Sequence, residues 1–100
     1  LDTSNPKKLT PGQRDAVKQY GSLAEALLKN RDLAMFVHHF KFEVNDQLAN
    51  IRSHTAEANA ERIAFANQLS GIDGFINTLK GAIYKRNKLI AAESSNTDLS

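Results

Sequence analysis

Between Phe65 and Ile83 the large apolar residues Phe65, Leu69, Ile72, Ile76, Leu79 and Ile83 follow one another at alternating steps of four and three. An α-helix gathers that spacing into a single stripe, because each residue advances by about 100° around the axis. Such a stripe is the seam a helix buries against a partner. The same segment carries Gly71, Gly74, Thr78 and Gly81 at steps of three, four and three. This second row falls on the far side from the seam, where missing side chains let another backbone come close. A helix prepared for contact on two sides predicts more partners than one short chain supplies, and therefore an oligomer or a docked component.

With 100 residues the chain is bounded to one domain, near the lower limit for a self-sufficient core. Its apolar fraction of 41% and charged fraction of 24% fit a globular protein and exclude a disordered one. There is no cysteine, hence no disulfide framework and no thiolate metal site, so packing must hold the fold. No apolar run approaches the roughly 20 residues of a membrane span. Nothing after Leu1 resembles a signal peptide, and neither a span nor a leader is expected.

Residues 1–9 read as a polar N-terminal arm with Pro6. Thr10-Pro11-Gly12-Gln13 then has the form of a helix start, with Thr10 as cap, Pro11 in the first turn and Gln13 closing a capping box. Val17, Tyr20, Ala24, Leu27 and Leu28 continue at helical spacing to about residue 29. Gly21 interrupts them, while Ser22 and Glu25 offer a second box, which predicts one helix or two short ones with a bend. Asn30-Arg31-Asp32 marks a break, with Asp32 as the expected cap of a helix over about 33–52. Its stripe is Leu33, Phe36, Val37, Phe40, Val44, Leu48 and Ile51, with Met35, Phe42 and Ala49 as a second row. Ser53-His54-Thr55 predicts a turn, with Thr55 capping a last helix over about 56–92. Ser70-Gly71-Ile72-Asp73-Gly74 could divide that helix, but the phase of Leu69, Ile72 and Ile76 survives it and argues for continuity. Residues 93–100 read as a polar tail. The expected fold is all-α: an antiparallel helical hairpin with an additional N-terminal helix.

Chemistry is scarce. His38 and His39 are adjacent and point about 100° apart on a helix, so they cannot chelate one ion together. His39 and Glu43 could supply two ligands, fewer than a stable site needs. No nucleophile elbow, phosphate-binding glycine loop or di-iron Glu-x-x-His pair is present. No enzyme activity, catalytic residue, metal or cofactor is expected. The net charge of +2 is small, but Lys80, Lys85, Arg86 and Lys88 stand between Asn77 and Ala92 with no acidic residue, and Tyr84 lies among them. Cations interleaved with an aromatic ring can hold a phosphate, stack on a base or meet an acidic partner. Cations near a helix end also suit the negative pole of its dipole. Lys7 and Lys8 form a second, smaller basic pair.

Three stretches together carry a resemblance: Leu27-Leu28-Lys29-Asn30 leading into the first long helix, Glu57-Ala58-Asn59 with Arg62, and Leu69-Ser70-Gly71-Ile72-Asp73-Gly74-Phe75 with Leu79. Across the central half of the chain this arrangement resembles small helical proteins encoded among the head and portal genes of tailed bacteriophages. The resemblance implies a virion or head-assembly component, located in the virion or the host cytoplasm. It carries over no catalytic or binding residue. The expected partner interface is Met35, Phe42, Ala49, Gly71, Gly74, Thr78 and Gly81. The alternative is a small binding module that grips nucleic acid or a phosphorylated ligand through Lys80, Tyr84, Lys85, Arg86 and Lys88.

Overall fold

The computed structural model describes the backbone of residues 8–99 and the side chains of residues 8–95. Most of the expected N-terminal arm, including Lys7, lies outside the described residues. The fold is all-α, with α1 over Pro11–Leu28, α2 over Arg31–Asn50 and α3 over Ala56–Leu99; the described residues contain no strand. They fall into two compact units, one of 30–77 and one combining 8–29 with 78–99, and α3 contributes to both.

In the unit of Asn30–Asn77, α2 starts at Asn30, whose side chain accepts from the Leu33 N–H at 3.0 Å. Asn30 is thus the cap in place of Asp32. Asp32 sits in the first turn, where its charge faces the positive end of the helix dipole. Thr55 caps α3 by accepting from the Ala58 N–H at 3.1 Å. Val44 and Ala58 are buried, and Leu33, Val37, Phe40, Leu48, Phe65, Leu69, Ile72 and Ile76 are half-buried around them. Phe36 departs from its stripe: it is 73% exposed. It lies at the edge of the apolar arc, where the neighbouring helix no longer reaches. Lys41 meets Asp73 at 2.5 Å. Arg62 clasps the α2–α3 connection, donating to the carbonyl of Ser53, to that of Ile51 at 3.2 Å, and to Asn59 Oδ1. Helix ends leave carbonyls without intrahelical partners, and the Ile51 carbonyl, at the C-cap of α2, is the one Arg62 satisfies there.

In the other unit, Thr10 and Gln13 form the expected box, with hydrogen bonds of 3.1 and 2.9 Å. Residues 11–28 form one helix with no break at Gly21. Its glycine serves a tertiary contact instead. A Cβ built there would overlap the Cβ of Arg86 and stand 2.9 Å from the carbonyl oxygen of Ala82, so α1 crosses α3 at Gly21 with no room for a methyl group. Leu9, Ala24, Leu79, Ala82 and Leu89 are buried around this crossing. Tyr20 and Leu27, expected on the inner stripe, are exposed because so close a crossing covers only a narrow arc of α1.

α3 runs without interruption through Ser70–Gly74 and on to Leu99, through the stretch expected as a tail. Residues 93–99 contain neither glycine nor proline to stop it, and Glu93 is held at 2.7 Å by Lys18.

Candidate interaction surfaces

The seam residues from Phe65 to Ile83 are all buried or half-buried, so the helix turns its opposite side outward. On that side Gly71, Gly74 and Thr78 are exposed and Gly81 is half-buried. A Cβ added at Gly71, Gly74 or Gly81 would meet nothing within 4 Å. Among the described glycines, the close approach is at Gly21.

The second row of α2 is also open. Met35 is 49% and Phe42 66% exposed, and Ala49 is exposed with them. Phe36, Ile63 and Phe75 add large apolar side chains that neighbours leave partly or mostly uncovered. Few apolar residues are buried in either unit: Val44 and Ala58 in Asn30–Asn77, and Leu9, Ala24, Leu79, Ala82 and Leu89 in the other, and no large side chain among the described residues is fully buried.

The basic cluster divides. Lys80, Tyr84, Lys85 and Lys88 are exposed, and Lys80, Tyr84 and Lys88 stand at steps of four along one stripe of α3. Arg86 turns the other way. It donates to Glu25 at 2.9 Å and Ser22 Oγ at 3.3 Å, while its remaining nitrogens donate to Asn87 Oδ1 at 3.1 and 3.0 Å. Every guanidinium nitrogen is engaged, which removes Arg86 from the group that can meet a phosphate. The hydrogen bond and charge of Arg86, followed by those of Lys29, hold the Glu25 carboxyl below the ordinary carboxylate range. Ser22 and Glu25, which read as a capping box in sequence, are thus the α1 acceptors of a tertiary contact with Arg86, Glu25 as its ion-pair partner.

His38 and His39 are exposed, with ring centroids 6.2 Å apart in an edge-to-face arrangement. Among the described residues, no three His, Asp or Glu side chains gather as a metal site would require. No helix of the described residues is long and apolar enough to cross a membrane. Comparison of the chain with protein-family models, curated proteins and solved structures gives no match.

Proposed function

We propose that this chain is a non-enzymatic structural protein that acts in an assembly through helix–helix contacts. The observation that carries this reading is the imbalance between core and surface. No large side chain among the described residues is fully buried, while Met35, Phe36, Phe42 and Ile63 stay largely open. A chain this small has little apolar surface to spare, so large apolar side chains left this open fit a role in contacts with another chain. The glycine row adds a second open face, with space for another backbone at Gly71 and Gly74. In this reading α2 folds back along α3 as an antiparallel hairpin. The Lys41–Asp73 and Arg62–Ile51 contacts support that direction, since the partner number falls from 73 to 62 as the α2 number rises from 41 to 51. The resemblance to small helical proteins encoded among the head and portal genes of tailed phages makes a virion or head-assembly component, in the particle or the host cytoplasm, the specific form of the proposal.

The mass of the full chain in solution, followed over a range of concentrations, tests self-assembly. Growth beyond the monomer is expected, and Gly74→Leu should reduce it while helicity by circular dichroism is retained. A monomer at every concentration, or assembly indifferent to Gly74→Leu, would count against the ridge as a self-contact.

A second reading is a nucleic-acid or phosphate-binding module, favoured by the exposed alignment of Lys80, Tyr84 and Lys88. Its mark is salt dependence, with a slope of about 0.9 per duplex phosphate contact.

A further inference from the structure

We infer that the Lys80–Tyr84–Lys88 stripe of one copy docks on a stripe of α2 in a second copy. This deepens the assembly reading and rests on it. On α2 the residues Asp32, Phe36, His39, Glu43 and Asp46 follow at steps of four, three, four and three, the spacing of a single helix face. All five are exposed, and Phe36 is the most exposed large apolar residue described. The face is therefore an acidic one that also carries an exposed aromatic ring. The Lys80–Tyr84–Lys88 stripe is its complement, a ring with one cation a turn to either side, and Tyr84 is 66% exposed.

The spacings agree as well as the charges. Four residues of helix rise by about 6 Å. With Tyr84 set against Phe36, one lysine stands opposite Asp32, and the other comes within about one turn of Glu43 whichever way the helices run. The two rings can then pack edge to face or offset while the charges pair around them. None of Asp32, Glu43, Asp46, Lys80 and Lys88 takes part in an ion pair among the described residues. Lys18, Lys41 and Arg86, by contrast, are all paired.

Charge also selects the occupant. The stretch Asn30–Asn77 holds four Lys and Arg against six Asp and Glu, a balance of −2, and the rest of the chain holds nine against five, a balance of +4. A nucleic acid would be drawn to one part and repelled by the other, leaving Phe36 bare. A second copy answers both. Because the two patches differ, the contact is heterologous and can propagate from copy to copy.

Sedimentation of the full chain in low salt and in about 0.5 M salt, where exposed charges are screened beyond a few ångströms, tests the pairing. Self-association should weaken as salt rises. The double variants Lys80→Glu/Lys88→Glu and Glu43→Lys/Asp46→Lys should each associate about tenfold more weakly or worse. An equimolar mixture of the two should regain association, since each reversed patch meets its reversed complement. Association that survives both variants, or a mixture that stays apart, overturns the docking while leaving self-assembly standing. A wild-type chain that remains monomeric in low salt overturns both. A salt-sensitive complex with DNA or RNA that is lost with Lys80→Glu/Lys88→Glu but kept with Glu43→Lys/Asp46→Lys gives the stripe to nucleic acid instead and likewise overturns the docking.

Discussion

Replacing a helical glycine by alanine should have opposite effects at two places in this chain. At Gly71 and Gly74 an added methyl meets nothing within 4 Å, and no described glycine has a positive φ. Alanine there should stabilise by up to about 1 kcal/mol, the ordinary difference in helix propensity. At Gly21 the same methyl would overlap the Arg86 Cβ and press 2.9 Å from the Ala82 carbonyl oxygen and 3.0 Å from the Arg86 Cδ. A Cβ and a carbonyl cannot swing aside as a side-chain tip can. Restoring carbon contacts near 3.5–4.0 Å requires α1 to lift by roughly 1 Å. Overpacking of this kind costs about 1–3 kcal/mol, and the lift also strains the Glu25–Arg86 and Lys18–Glu93 pairs. Set against the propensity gain, Gly21→Ala should destabilise by up to about 2 kcal/mol, leaving a gap of about 1–3 kcal/mol from Gly71→Ala. The chain has no Trp and two Tyr, Tyr20 and Tyr84, both in the unit that contains Gly21. Tyrosine emission during urea unfolding of dilute protein therefore reports that unit, while circular dichroism reports all helices. A Gly21→Ala chain more stable than wild type would refute the close crossing. Loss of stability in both Gly71→Ala and Gly74→Ala would refute their open surroundings.

Arg62→Ala removes the donors to the Ile51 and Ser53 carbonyls; it should cost about 1–3 kcal/mol and speed amide exchange near the end of α2, and unchanged exchange there would discount the clasp. Glu25 has a lowered pKa, so the stability it contributes is present above its unfolded-state value and is lost as pH falls through the folded one. Acid should accordingly weaken the unit that contains α1, and Glu25→Gln should flatten that part of the pH profile; an identical profile in the variant would show that the Arg86 pair plays no part.

The cap at Thr10 and the start of α3 at Thr55 were legible because capping is a local matter of three or four residues. The seam was legible because a helix repeats its faces. What stayed hidden depends on distance in the chain. Periodicity shows that Phe36 could share a face with Val44, but not how wide an arc the neighbouring helix covers. A glycine in sequence shows where a Cβ is missing, not which backbone comes close, so nothing marked Gly21 as the position that meets the Ala82 carbonyl. Arg86 read as one cation of a patch because its partner, Glu25, lies 61 residues away. In sequence the α1 side of this contact, Ser22 and Glu25, read instead as a local capping box.

Separations of this kind also order events in time. Arg62 closes its unit across 11 and 9 residues, so those contacts can form almost as soon as the start of α3 exists. Arg86 reaches its α1 partners across 61 and 64 residues. At a synthesis rate of about 5–20 residues per second, α1 leaves the ribosome some 3–13 s before the segment that covers Gly21 and Ala24. The first helix made is the last to be matched. On a crowded message the α3 of an adjacent nascent copy competes for it during that interval, which makes exchange of α1 between copies a hazard of synthesis for this topology.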